Sequence, residues 1–473
     1  SMERTKSQKK NSGQRLRRIN PLYVYNELCS YGGNTGFFKM LISYIFICAG
    51  MAFAGKLFKL ERGQIVSLLV YAYILTPYIL LGRAKSIYYQ RKFWDVNKYM
   101  EKMLYYFKGR PKLLECWGMV LELFPEGEMN TAIKDAIGHV KISDNLETGK
   151  AEAIQDLSKR YQCSRLLRIH EFFMQVERDG GNYDMSIELL LKDRQLWAER
   201  VEELQQKKKF TRVNIVLSML IVTVLCLSIM YLPEMVASNV TFADIGKIRF
   251  VQLSAMGYLM LMLFLYVSID RKMCFDWLKD ENLYTEGEAE ARYEKLTSKD
   301  MSFSARLRRH TLGYRALAKV YTKQLKLSMP VWVMRLALLL QTENVHVAIK
   351  ESYGDAPPCL KPAIHKLISQ IELEPNSEKP YDEFLSEFGL PEFEDVMSTL
   401  YSIQAGSGGD VQVEIRNIVD RATAMTDKAE KLKNEDKMAA MQAYVAIPGL
   451  IGAVKLMVDM SAFLISFLSV RVM

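Results

Sequence analysis

The chain has 473 residues, enough for roughly two or three domains of ordinary size. Hydrophobic residues make up 49% and charged residues 25%, an average that looks soluble but conceals long apolar blocks separated by long charged ones, so a wholly aqueous protein is excluded. The formal net charge is +9; none of the seven cysteines forms a CxxC pair and the five histidines show no zinc-like spacing, so neither a disulfide framework nor a metal site is expected.

Residues 1–36 form a basic tail with Arg4, Lys6, Lys9, Lys10, Arg15, Arg17 and Arg18, and Glu3 is the only acid before Asn20. Such a tail can bind nucleic acid, but beside a first span it is more simply a topology determinant near anionic lipid. Apolar blocks follow at Phe37 to Gly55, Gln64 to Gly82, Val213 to Leu232, Phe250 to Ile269 and Met441 to Val470. Each is about 19 residues or more, and a helix rising about 1.5 Å per residue needs roughly 20 to cross the hydrocarbon core, which predicts five spans. The first begins behind the basic tail, unlike a secretory signal.

The expected order is a basic cytoplasmic tail (1–36), a transmembrane hairpin (37–82), a first cytoplasmic helical bundle (83–212), a second transmembrane hairpin with a short outer loop (213–269), a second cytoplasmic bundle (270–440) and a C-terminal transmembrane helix (441–473). The membrane-proximal residues Arg83, Lys85, Lys207, Lys208, Lys209, Arg212, Arg271 and Lys272 put both long segments inside, against fewer cations in the outer loops. The N-terminus is then inside and the C-terminus outside.

Both long segments read as helix almost throughout. Ile154, Leu157, Tyr161, Leu166, Ile169, Phe172 and Phe173 recur at three- and four-residue steps, with nearly no strand-like alternation. A comparable helix is expected to open at Ser328, with Ser328 as N-cap and Pro330 in the first turn. The fold class is therefore all-α: a polytopic membrane protein with about five transmembrane helices and two homologous cytoplasmic helical bundles.

The homology rests on an internal repeat. A shift of 228 residues sets Gly180 and Gly181 on Gly408 and Gly409, Leu157 and Ser158 on Leu385 and Ser386, and Leu196, Glu202 and Leu204 on Ala424, Glu430 and Leu432. "NTAIKDA" (Asn130 to Ala136) resembles "HVAIKES" (His346 to Ser352) at a shift of 216, the difference being absorbed around "EPNSEKPYDE". An internal duplication that includes the following membrane helix is the economical reading. The glycine pairs would permit positive φ at a sharp turn between helices; the plain reading is backbone geometry, the alternative an exposed docking edge.

This order of helical bundle, span, short outer loop, span, related bundle and final span resembles the type II secretion system F family, the inner-membrane platform proteins of type II secretion, type IV pilus and tight-adherence pilus machines. The resemblance covers Phe107 to Met473, and the glycine-centred turn before a charged helix into the membrane carries most of it. The family pattern places a Glu three residues before the turn glycine: Glu177 fits, whereas Ala405 stands at that place in the second copy. The leading hairpin is similar to the extra spans of tight-adherence relatives. The resemblance implies a non-enzymatic scaffold in a bacterial or archaeal cytoplasmic membrane, contacted by a hexameric ATPase and receiving pilin or pseudopilin transmembrane stems, with membrane lipids around it, homo-oligomerisation open, and neither cofactor nor nucleic acid. Independently, no GxxxxGK[ST], GxSxG or HExxH motif occurs.

Two charge groups are candidate contacts. Arg315, Lys319, Lys323 and Lys326 share one helix face, which suits an acidic ATPase surface, to which Glu177 is added by the resemblance, or equally solvent or lipid headgroups. Lys455 and Asp459 stack one turn apart inside the last span, where charges face a partner or a cavity; they either neutralise each other or line the place of a pilin stem. A transporter, a channel or a signalling adaptor remains the alternative. A reporter active only in the cytoplasm, fused after Met473, is expected to stay silent; strong signal overturns the topology.

Overall fold

The structure is a computed structural model of the chain that describes residues 20–32, 36–180, 183–236, 245–275, 277, 284–297, 312–341, 343–406 and 410–472. Among the described residues the fold is all-helical, with no strand. The helices are α1 (Pro21–Ser30), α2 (Phe37–Leu57), α3 (Arg62–Gly109), α4 (Leu113–Glu122), α5 (Glu128–Ile142), α6 (Leu146–Tyr161), α7 (Ser164–Asp179), α8 (Asp184–Val236), α9 (Arg249–Lys272), α10 (Glu286–Thr297), α11 (Leu312–Leu339), α12 (Val345–Ser352), α13 (Lys361–Leu373), α14 (Lys379–Asp382), α15 (Pro391–Ala405) and α16 (Val411–Val472). Asparagine starts several of them: the side chains of Asn20, Asn145 and Asn344 each accept a backbone N–H of the first turn at 3.0 Å.

Five helices, α2, α3, α8, α9 and α16, are long and apolar enough to cross a membrane. The chain is thus a multi-pass membrane protein. Its contacts divide it into two compact units, one of Ser1–Phe93, Glu202–Trp277 and Asp436–Met473, the other of Trp94–Val201 and Leu278–Glu435. The two long polar segments accordingly fall in one unit, and α3, α8 and α16 each contribute residues to both.

In the first unit Val24 and Leu28 of α1 pack with Met40 and Tyr44 of α2 and Leu81 of α3. Phe58, Leu60 and Leu68 meet Cys226 and Met230 of α8 and Ala255, Tyr258 and Leu259 of α9, and lower on α8 and α9 Ile215, Leu265 and Ile269 meet Met438 and Met441 of α16. The outward faces are apolar as well, with Phe46 79% and Ile465 70% exposed, as expected of surfaces solvated by lipid tails rather than water. At the end of α2 the Ala54, Gly55 and Lys56 carbonyls accept from the N–H groups of Phe58, Leu60 and Lys59, and the next free ones are satisfied from other helices: Tyr231 Oη donates to Leu57 O at 2.9 Å and Gln252 Nε2 to Lys59 O at 3.0 Å.

In the second unit Phe107 of α3 stacks on Phe173 of α7 with centroids 4.0 Å apart. Beside them Trp117 Nε1–H donates to Tyr99 Oη at 2.7 Å, Tyr99 Oη lies 2.8 Å from His170 Nε2, and His170 Nδ1 lies 2.8 Å from Leu166 O. A carbonyl only accepts, so Nδ1 carries the proton and Nε2 accepts from Tyr99. Helix starts recur within one residue of the repeat offsets of 228 and 216: Ser164 to Pro391 and Asp184 to Val411 are both 227 residues, while Leu146 to Lys361 is 215. Lys192 meets Asp420 at 3.3 Å and Arg200 meets Asp427 at 2.6 Å, so that stretch of α8 and the matching stretch of α16 run side by side in the same direction.

Two local expectations are corrected. Ser328 is no N-cap: α11 runs unbroken from Leu312 with Pro330 inside it, and Ser328 is buried, accepting from Gln324 Nε2 at 3.4 Å. Burial of Tyr321, Leu325, Met329, Trp332 and Val333 in one continuous register outweighs the one backbone donor that proline removes. Leu385 is not the counterpart of Leu157, which lies inside α6, whereas Leu385 has φ +55° ahead of a 3-10 turn, because the insertion falls between α13 and α15. Gly406 has φ +63° at the C-cap of α15, as Gly180 has φ +71° at that of α7; Gly181, Gly408 and Gly409, like the basic tail before Asn20, lie outside the described residues.

Complete burial pushes the His170 imidazole from 6.5 down to about 4, against the opposing bond to Leu166. The unfolded chain therefore binds more protons than the folded one between those values, and stability is lost as pH falls through them. Hydrogen exchange of the amides around Tyr99 and His170 should show opening about 2 kcal/mol easier at pH 5 than at pH 7, a slope that His170→Gln should remove.

Candidate functional site

A charge inside a membrane helix is expensive enough that its partners are the first thing to establish. Lys455 and Asp459, one turn apart on α16, are 2% and 1% exposed. Lys455 Nζ donates to Asp459 Oδ1 at 2.5 Å, Ser254 Oγ at 3.0 Å and Val251 O at 3.2 Å, which uses its three protons. Ser254 and Val251 belong to α9, so the ammonium binds α16 to α9 through hydrogen bonds in a medium without competing water. Asp459 Oδ2 is buried with no hydrogen-bond partner among the described residues. Three residues before Lys455, a Cβ at Gly452 would lie 1.9 Å from Val222 Cγ1, so only glycine lets α16 come this close to α8.

The two charges face each other and α9, which is the self-neutralising arrangement of the two alternatives the sequence offered. What the site does chemically is neutralise and clamp. The sequence placed the two side chains on one face, but Val251 and Ser254 carry no signal of their own, being an apolar residue and a serine in an apolar helix.

The other candidates are not brought together. Arg315, Lys319 and Lys326 are exposed along α11 and Lys323 is half-buried, giving a basic stripe. Glu177, far along the chain on α7, is already occupied: its Oε1 pairs at 2.9 Å with Nζ of Lys150, which is 2% exposed and also within 3.5 Å of Glu147. A partner of Glu177 would have to strip a buried ammonium of its counter-ion, so the carboxylate is accounted for inside the fold. Nearby on α7 the carboxyl of Glu171 is held above the usual carboxylate range by burial and by the charge of Asp355, against Arg335 and Arg168. Asp355 is itself paired with Arg335 at 3.3 Å. All seven cysteines are free thiols, and no cluster of metal-ligating residues occurs among the described residues.

Comparison with family models, with curated proteins and with solved structures finds no match.

The clamp is testable by a double-mutant cycle in thermal unfolding of the detergent-solubilised protein. Lys455→Met alone should cost about 3 kcal/mol by stranding Asp459, whereas Lys455→Met with Asp459→Leu should recover most of that loss. Equal loss in the single and the double variant would exclude the pairing.

Proposed function

We propose that the chain is the non-enzymatic inner-membrane platform of a pilus or type II secretion machine, coupling a cytoplasmic hexameric ATPase to the assembly of pilin-like subunits. One observation carries this reading. Two helices starting 227 residues apart, α8 and α16, each begin in polar sequence and continue without a break into an apolar stretch, and their polar parts are tied together by Lys192–Asp420 and Arg200–Asp427. A continuous helix is a stiff link, so a displacement imposed on its polar turns is carried into its apolar turns. A scaffold worked by an external motor needs such links and no catalytic group.

In this reading the basic stripe of α11, with Arg315, Lys319 and Lys326 outermost, receives the ATPase. The pilin stem packs on the exposed apolar stripe of Leu450, Val454 and Met457 on α16, while Lys455 and Asp459 hold that helix from behind. The membrane is the cytoplasmic membrane of a bacterium or archaeon, with the N-terminus inside. The transporter reading draws on the same intramembrane pair, but all three protons of Lys455 are taken by groups of its own chain.

Co-expression with a pilus or secretion ATPase separates the readings: a platform recruits the ATPase to membranes, a transporter or adaptor does not. Lys319→Glu with Lys323→Glu should lower the ATPase recovered in the membrane fraction by about tenfold at low salt. Unchanged recovery overturns docking on this stripe.

A further inference from the structure

Three apolar stretches end together at one rim of the first unit. Gly82 closes the stretch on α3, Arg212 precedes the one on α8, and Asp270 follows the one on α9. Their side chains meet there: Arg212 pairs with Asp270, Arg83 Nη2 donates to Tyr266 Oη at 2.9 Å, and a Cβ at Gly82 would lie 3.1 Å from Asp270 Oδ2. These residues and Ser86 line a hollow of about 320 Å³. Its size is that of a small-ligand pocket.

The charges in it do not cancel. Two guanidiniums face one carboxylate, and Asp270, whose side chain is only 4% exposed, is taken by Arg212. Arg83 is exposed, and among the described residues it gives one of its five N–H donors to Tyr266. The hollow thus carries one net positive charge and unused donors in a planar fork suited to phosphate oxygens. Beside Arg212, Val213, Val216 and Leu217 are 56%, 42% and 52% exposed, so apolar surface continues from the charged hollow along α8 into the apolar stretch. A polar anion with an apolar tail matches both halves of this surface; a free anion matches one.

We propose that this hollow binds the phosphodiester headgroup of an anionic phospholipid, with Arg83 and Arg212 on the phosphate and the acyl chains along Val213, Val216 and Leu217 of α8. The site depends on the membrane-spanning character of the chain and not on its partners in secretion.

The test is native mass spectrometry of the full chain released from bilayers holding phosphatidylglycerol and phosphatidylcholine of identical acyl chains. One net cation at the headgroup level should favour retention of phosphatidylglycerol about fivefold. Arg83→Gln should abolish the preference. Lys85→Gln, on the same rim but not lining the hollow, should preserve it. Excess inorganic phosphate should leave it unchanged. Equal retention of the two lipids, loss of preference in both variants alike, or displacement of the lipid by inorganic phosphate would each overturn the proposal, the last by showing a site for a free anion only.

Discussion

A backbone N–H or C=O left without a partner in hydrocarbon costs several kcal/mol, roughly as much as the net stability of a small domain. That constraint decides this fold. Each apolar stretch must be helical along its whole length, and where a helix ends at the membrane its last carbonyls need donors. The donors to Leu57 and Lys59 come from α8 and α9 and not from water, which fixes the end of α2 against its neighbours. The cheapest way to leave the membrane is not to end the helix, and α3, α8 and α16 take it by running 48, 53 and 62 residues without interruption.

The same constraint sorts the charges by depth. Deep in α16 the Lys455 ammonium has all three protons matched and its carboxylate one turn away, because nothing else there can solvate it. At the rim the match is looser: Arg212 and Asp270 pair, and Arg83 keeps donors turned outward. In the second unit, Lys192–Asp420 is exposed on both sides and contributes a few tenths of a kcal/mol at most, so its meaning is geometric. It reports the relative direction of two helices, whereas the buried pair holds two helices together.

How much of this is legible in sequence depends on the range of the interaction. The five apolar stretches are read from composition alone, since lipid solvation acts residue by residue: each lies within a helix of the structure, and two of them, 37–55 and 250–269, match the bounds of their helices to within a few residues. Where the helices stop is not legible in this way. Gly82 followed by Arg83 marks the end of an apolar block but not of α3, which continues to Gly109 because Phe93, Val96, Met100, Met103 and Phe107 keep a buried face in register. Pro330 misleads for the same reason: a local signal for a helix start is overridden by Trp332 and Met329 packing in one register with Tyr321 and Leu325. Gly406 stood in the same short run of glycines as Gly408, and only the backbone shows that it takes positive φ at the C-cap of α15.

The carboxylate that the second copy lacks shows how far the repeat constrains chemistry. Lys150 and Lys366 stand 216 residues apart, within one residue of the 215 between the starts of α6 and α13. Lys150 is sealed, and a sealed ammonium without a counter-ion would cost several kcal/mol, about enough to unfold the region around it. Glu177, at 2.9 Å against 3.5 Å for Glu147, is the nearer of its two counter-ions, on the helix that closes over Lys150. At the C-cap of α15 Gly406 stands as Gly180 does at that of α7, so Ile403 holds the place of Glu177, and Lys366, whose side chain is 42% exposed, takes Glu387 from the inserted stretch at 3.6 Å. Water can solvate that lysine whether or not Glu387 is there, so an apolar residue at 403 strands no charge. The Glu three residues before the turn glycine is then explained by what it covers inside the fold, and a partner reaching the first copy would find that carboxylate already spent on Lys150.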